Sequence, residues 1–171
     1  MNIEMTLEQR ELYKSIINLW QRLCNLHQSL LEVTTEEYTS LLSSDLEKTA
    51  EILETKKNLI KEIAKEDLIR QKLVSEILGP ETLADGYKFS DLKTFFNKFE
   101  IESKGNHLNN FNLILLDTIN KIKAQNKKNR FFINRAMISL DGLKLPSNIN
   151  PNHSLYNKNG KKLKKLDVKG V

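Results

Sequence analysis

Residues 106–145 read NHLNNFNLILLDTINKIKAQNKKNRFFINRAMISLDGLKL, and this stretch decides the fold. Its apolar residues recur in steps of three and four, which places them on one stripe of a long amphipathic helix. A helix of this kind is stabilised mainly by packing its stripe against partner helices, so the sequence predicts a helical bundle. The stripe consists of Leu108, Phe111, Leu115, Ile119, Ile122, Ile133, Ala136, Met137, Leu140 and Leu143.

Two asparagines interrupt the stripe near its middle. Asn126 and Asn129 occupy positions where apolar residues are expected, within the run QNKKN of residues 125–129. A side-chain amide at a helical seam lowers stability but can fix the register and the choice of partner. Alternatively, the amides are solvated at a place where the bundle frays. The spacing leaves both interpretations open.

A second long helix is predicted at the start of the chain. Thr6 and Gln9 match the capping-box pattern, and the helical period that follows reaches Leu42 without a Gly or Pro. A break follows, in which Ser44 and Glu47 offer a capping box for the next helix.

That next helix is expected to end at Gly79, since glycine suits a C-cap and Pro80 cannot continue a helix. Residues 81–90 then read as a loop, with room for one helical turn, and Ser90 is predicted to cap a short helix through Phe99. The predicted apolar face of the second long helix comprises Leu46, Ala50, Leu53, Ile60, Ile63, Ala64, Leu73 and Ile77.

The pattern changes after Leu145. The segment that follows has two prolines, no period and a polar, lysine-rich continuation, which is typical of disordered chain. The predicted fold is therefore all-α: an antiparallel bundle of long amphipathic helices over residues 1–145, followed by a flexible basic tail over residues 146–171.

Composition and charge distribution limit the possible partners. The net charge is +5, and six lysines against Asp167 place that excess after residue 152, so the preceding body is about neutral. A neutral body argues against a nucleic-acid-binding face on the folded part. No apolar run is long enough to cross a bilayer, and the N-terminus lacks a secretory pattern. A single cysteine, Cys24, fits a reducing compartment, so we expect a soluble cytoplasmic protein without stable membrane insertion.

The sequence offers no set of residues suited to catalysis, metal binding or a cofactor. The three histidines are far apart, and none has a second His or Cys at ligand spacing. His27 lies on the first helix's stripe and is interpreted as a core or seam residue. Carboxylates such as Glu36 and Glu37 are interpreted as ordinary surface charge. We therefore predict a protein that is not an enzyme and needs neither metal nor cofactor.

The tail contains one large apolar pair, Leu155 and Tyr156, in an otherwise polar stretch. An isolated pair of this kind in a disordered segment is typical of a short docking motif, because one aromatic side chain can anchor a chain that makes few other contacts. An inert tail is the alternative, and the physical pattern alone leaves it open.

Taken together, these residues resemble the FlgN-type flagellar export chaperones. The asparagines of residues 125–129 are similar to the family's pair of asparagines three apart. The run SLYNKNG of residues 154–160 is similar to its Leu-Tyr-x-x-x-Gly element. Weaker support comes from ETKKNLI at residues 54–60, with Arg70 ten residues on. Arg130 departs from the family pattern, in which glycine is frequent at that place.

The resemblance implies a cytoplasmic chaperone that binds hook-associated junction proteins, keeps them unpolymerised and delivers them to the flagellar type III export gate. It assigns one set of residues to the client and another to the cytoplasmic domain of the gate. The expected client-binding residues are Asn126, Asn129, Phe132, Ile133, Ala136, Met137 and Leu140. The expected gate-docking residues are Leu155, Tyr156, Asn159 and Gly160.

A second hypothesis comes from a different class of protein. The chain could be a structural coiled-coil module whose lysine-rich tail binds nucleic acid or an anionic membrane. Salt discriminates between the two, because charge-driven binding weakens steeply as salt rises. Burial of an apolar client helix depends mainly on its contact area.

Overall fold

The computed structural model describes residues 6–143, and their side chains as far as residue 140. Within this range all regular structure is helical, so the predicted all-α class is confirmed. The chain divides into two compact units, Met1–Phe132 and Ile133–Val171, and the division falls inside the last helix. The predicted boundary at residue 145 and the predicted tail lie outside the described residues. The helices are α1 (Leu7–Ser43), α2 (Leu46–Leu78), α3 (Thr82–Asp85), α4 (Phe89–Phe95), α5 (Asn97–Glu102) and α6 (His107–Leu143).

The turn between α1 and α2 occupies only two residues. Ser44 closes α1 in the left-handed region, with φ 56°, and Asp45 caps α2 by accepting a hydrogen bond from the Lys48 backbone N–H at 3.0 Å. The prediction that Ser44 caps α2 was therefore wrong by one residue, because Ser44 is used to end the preceding helix. At the start of α1, the capping box of Thr6 and Gln9 is confirmed.

Side-chain contacts show that α1 and α2 run antiparallel. Near one end, Arg22 Nη2 lies 3.1 Å from Glu66 Oε2. Near the turn, the Thr49 hydroxyl donates to the Ser40 hydroxyl at 2.9 Å. Two long amphipathic helices joined by so short a turn form an antiparallel hairpin.

The part of α6 that belongs to the first unit runs parallel to α1. Trp20 Nε1 donates to Asn112 Oδ1 at 3.3 Å, and farther along, the rings of Tyr38 and Phe132 meet edge to face at 6.0 Å. The first unit is therefore an up-down-up arrangement of three long helices, as the predicted bundle requires.

The apolar core lies at the end of this unit away from the α1–α2 turn. The Cys24 thiol is part of it and donates to the Phe111 carbonyl at 3.2 Å. Burial raises the pKa of this thiol, as expected for a structural rather than a reactive cysteine. The buried apolar residues of the core are Ile16, Leu19, Trp20, Leu23, Cys24, Val74, Leu92, Phe96, Phe99, Leu108 and Leu115.

Residues 89–102 form two short helices instead of the one predicted from Ser90. Lys88 precedes α4 without a side-chain cap, and Ser90 lies inside the helix, so the predicted cap was wrong. Buried Glu100, in α5, accepts hydrogen bonds from the Tyr13 hydroxyl at 2.6 Å and from the Leu108 backbone N–H at 3.0 Å. Because Leu108 is the second residue of α6, a carboxylate there also compensates the positive end of the helix dipole.

The face that α2 turns toward the core agrees only in part with the predicted one, since Leu73 and Ile77 pack against the core as predicted. Ile52 and Val74 are buried, and Lys56 and Arg70 lie between them on the same stripe, half-buried. Five residues of the predicted face are exposed: Leu46, Ala50, Leu53, Ile60 and Ala64. The prediction was wrong for these five because two long basic side chains occupy core-facing positions, which a search for apolar period alone cannot recognise.

We expect Leu19→Ala to destabilise the chain strongly. Leu19 is fully buried, and a Leu-to-Ala change at such a site costs about 2–5 kcal/mol through lost burial and a residual cavity. The matched control is Leu113→Ala on exposed α6 surface, where the free energy of unfolding should change by about 0.5 kcal/mol or less. Urea denaturation of both variants measures the difference, and equal costs would contradict the described core.

Candidate partner-binding site

The buried face of α6 changes from apolar to polar along its length. Leu108, Leu115 and Ile122 follow one another at intervals of seven residues and are all buried. The next position in this series is Asn129, which is only 2% exposed. The amide predicted from the sequence to face the seam therefore does face it.

Asn129 is held by groups from α1. Its Nδ2 donates to the Thr34 carbonyl at 2.9 Å and to Glu37 Oε2 at 3.0 Å, and its Oδ1 accepts from Gln125 Nε2 at 2.9 Å. A buried amide with this many partners is satisfied rather than frayed. Solvation of Asn129 is excluded, and the hydrogen bonds support the interpretation that the amide fixes the register of α6 against α1.

Lys56 connects α2 to the same group of residues. Its Nζ donates to Glu37 Oε2 at 2.5 Å and to Asn126 Oδ1 at 2.7 Å. Glu37 is 6% exposed, so its carboxylate gives up hydration and depends on the charge of Lys56 and the amide of Asn129. We call Thr34, Glu37, Lys56, Asn126 and Asn129 the polar layer.

The interpretation of Glu37 as ordinary surface charge was therefore wrong. A usable signal was present, since Glu37 follows Ile16, Leu23 and Leu30 at intervals of seven, and those three residues are buried. A carboxylate at the fourth position of such a series indicates a buried charge that needs a basic partner. Its basic partner, Lys56, belongs to residues 54–60, the segment that supports the family resemblance.

Phe132 contacts α1 at the end of the first unit that lies near the α1–α2 turn. Its ring packs edge to face on Tyr38, and Lys128 Nζ lies 4.1 Å from the centre of the same Tyr38 ring. A lysine at this distance over an aromatic face makes a favourable cation–π contact. Lys128 and Phe132, on either side of Asn129 along the chain, thus both hold α6 on α1 through Tyr38.

A second polar group surrounds Arg70 in α2. Arg70 Nε donates to Asp67 Oδ1 at 2.6 Å, and Nη1 donates to the Tyr87 hydroxyl. Burial alone would raise the pKa of Asp67, but the hydrogen bonds from Arg70 and Gln71 lower it overall. A cavity of about 490 Å³ borders Arg70 and Tyr87. Because the Asp67 carboxylate already compensates the guanidinium, we interpret the positive charge of Arg70 as part of an ion pair within the fold.

The last turns of α6 present apolar side chains to solvent. Of the residues assigned to the client, Ala136, Met137 and Leu140 are exposed, the latter two at 58% and 62%, and Ile133 is half-buried. Ile138 is also exposed, and the sequence interpretation left it out because it lies off the predicted stripe. The predicted client residues thus fall into two groups, Asn126, Asn129 and Phe132 within the first unit and the others beyond it.

The four residues assigned to the export gate, Leu155, Tyr156, Asn159 and Gly160, lie outside the described residues. Across residues 6–143, no helix combines the length and apolar character that crossing a membrane requires. Over the same range, no three His, Cys, Asp or Glu side chains converge as metal ligands would.

Comparison with protein families assigns the chain. The family model described as FlgN protein matches residues 5–164, which include the paired asparagines and the Leu-Tyr-x-x-x-Gly element. The chain belongs to the FlgN family. Neither a curated protein nor a solved structure matches it. FlgN proteins are flagellar export chaperones, so membership gives this chain a chaperone role in flagellum assembly and implies that it binds flagellar proteins.

We expect Lys56→Ala to destabilise this FlgN chain by about 3–5 kcal/mol, because it leaves the Glu37 carboxylate buried without its cation. Exposed Lys72→Ala, also on α2, is the matched control and should cost about 0.5 kcal/mol or less. The double variant Glu37→Leu with Lys56→Met should be more stable than Lys56→Ala, since it removes both buried charges. Urea denaturation measures the free energies of unfolding, and a Lys56→Ala cost no larger than that of Lys72→Ala would contradict a buried charge network.

Proposed function

We propose that this FlgN chain is a cytoplasmic, non-enzymatic chaperone of hook-associated proteins. It binds their helical termini, keeps them unpolymerised and delivers them to the cytoplasmic domain of the flagellar export gate. The observation that carries the proposal is the exposed apolar surface on the last turns of α6, within a chain of the FlgN family. The buried Cys24 thiol is consistent with a reducing compartment.

The client contact is proposed for Ile133, Ala136, Met137 and Leu140. Their spacing of three and four residues forms one side of a helix, which is the pattern that a client's amphipathic helix can bury. Burial of a large apolar side chain such as Met137 or Leu140 supplies about 1.5–3 kcal/mol of free energy. A few such residues are enough for a complex that forms and is later released.

In this proposal the polar layer anchors the first part of α6 to the bundle. Asn126, Asn129 and Phe132 were assigned to the client by resemblance, and the client contact of all three stays a prediction. In the free chain they have partners on α1 and α2, so they hold the first part of α6 in place. We propose that this anchoring leaves the following turns of α6 to the client, because the client need not displace the bundle's own contacts.

The gate contact is proposed for Leu155, Tyr156, Asn159 and Gly160. Tyr156 is the candidate anchor, since an aromatic side chain buries a large area at a low cost in conformational entropy. The neighbouring lysines would speed the encounter with an acidic surface on the gate, because complementary charges raise the association rate.

Replacing Met137 with Asp is expected to weaken binding of a hook-associated protein at least tenfold, because a charge would enter the apolar contact. Leu113→Asp, another change from an exposed apolar residue to Asp on α6, should leave binding unchanged. Isothermal titration calorimetry measures both, with circular dichroism to verify the fold. Unchanged affinity for Met137→Asp would refute the client assignment.

Tyr156→Ala is expected to separate client binding from delivery to the export gate. Client affinity should be retained, while secretion of hook-associated proteins and binding to the isolated gate domain should fall strongly. Asn157→Ala, a neighbouring residue without an assigned role, is the control and should behave like the unmodified chain. Normal secretion by Tyr156→Ala would count against the tail as the gate-docking element.

A further inference from the structure

A second apolar stripe runs along the outer side of α2 and takes no part in the core. Its leucines and isoleucine are 81% (Leu46), 47% (Leu53), 50% (Ile60) and 57% (Leu68) exposed. At about 100° per residue, the stripe is turned roughly a third of a revolution from the buried face that contains Ile52. A long exposed apolar stripe of this kind marks a surface for association. The outer α2 stripe comprises Leu46, Ala50, Leu53, Lys57, Ile60, Ala64 and Leu68.

The stripe has the spacing of a coiled-coil seam. Its residues follow in steps of four and three from 46 to 64, with Leu46, Leu53 and Ile60 at one heptad position and Ala50, Lys57 and Ala64 at the other. The two alanines allow close approach of a second helix. The occupant that fits is therefore another helix with the same heptad repeat.

Charged residues beside the stripe change sign along its length. Glu47, Glu51 and Glu54 lie beside the N-terminal half, and Lys61 and Lys65 lie on the same flank beside the C-terminal half. All five are exposed. Such a flank is complementary to itself when two copies run antiparallel, because Glu47 then faces Lys65, and Glu51 faces Lys61. In a parallel pair this flank would face the opposite flank of the second copy, so the complementarity of these charges would be lost.

We infer that the outer α2 stripe is the interface of an antiparallel homodimer, formed by α2 of two copies of this chain about a twofold axis near residue 56. The interface is isologous, since each copy contributes the same surface. This inference is independent of the client and gate assignments, which concern α6 and the tail.

Lys57 sets the strength of this dimer. It occupies a seam position near the twofold axis and forms an exposed ion pair with Glu54 of its own helix at 3.2 Å. In the antiparallel pair its side chain also comes within reach of Glu54 of the second copy. A lysine at a seam position lowers stability but favours a defined two-stranded arrangement. We therefore place the dissociation constant in the micromolar range, where the dimer exchanges with monomer.

Charge reversal tests the interface and its complementarity. Sedimentation velocity of the full chain should show a concentration-dependent monomer–dimer equilibrium. Lys61→Glu with Lys65→Glu makes the flank uniformly acidic, and Glu47→Lys with Glu51→Lys makes it uniformly basic. Each double variant alone should dimerise at least tenfold more weakly, and an equimolar mixture should recover dimerisation as a heterodimer.

Disulfide trapping tests the direction. Ala50→Cys and Ala64→Cys, mixed and oxidised, should form a mixed disulfide, because the antiparallel pair brings these positions close. Ala50→Cys alone should not cross-link, since its two copies would lie roughly 15–20 Å apart along the axis, far beyond the spacing of about 7 Å that a disulfide tolerates. The unmodified chain, with Cys24 buried, is the control.

Substitution within the stripe completes the test. Leu53→Glu with Ile60→Glu should abolish dimerisation and leave the circular dichroism unchanged, while Leu116→Glu on exposed α6 should have no effect. A chain that is monomeric at hundreds of micromolar overturns the inference. So does an Ala50→Cys homodisulfide, or a stripe variant that loses affinity for a hook-associated protein but still self-associates.

Discussion

The Glu37 carboxylate is the constraint on which the rest of the bundle depends. A buried charge is tolerated only where other groups replace its hydration, and here they come from two other helices, Lys56 in α2 and Asn129 in α6. Apolar side chains tolerate small slips along a seam, whereas hydrogen bonds require a defined distance and direction. The polar layer therefore fixes the register in which the three long helices meet.

In the proposed function α6 serves two purposes, and the polar layer separates them. The first part of α6 is held by Leu108, Leu115 and Ile122, and then by the hydrogen bonds of Asn129. Beyond Phe132 the helix continues with exposed apolar residues. The proposed client contact requires both a stable bundle and an exposed apolar surface. The order of the polar layer and the exposed turns along α6 is compatible with both requirements.

The sequence predicted much of this arrangement because helical periodicity is a strong signal over long segments. The helices α1 and α2 ended within two residues of their predicted limits, α6 began one residue after its predicted start, and the seam position of Asn129 was correct. The wrong predictions of buried faces share a physical cause, in that polar residues occupied positions that a hydrophobic pattern assigns to apolar ones. Lys56 and Arg70 face inward through long side chains, so the predicted face of α2 included exposed residues. The heptad series of α1 indicates the burial of Glu37, but no local pattern reveals its partner on another helix.

Hydrogen–deuterium exchange of the full chain, with and without a hook-associated protein, tests the central claim most directly. The account predicts that residues 107–132 of α6 are protected in the free chain, and that added client protects residues 133–143 with little further change in the first part. Protection confined to α1 or α2, or a loss of protection around Asn129 when the client binds, would contradict it. Either result would mean that the client takes the place of the bundle's own contacts and does not add to them.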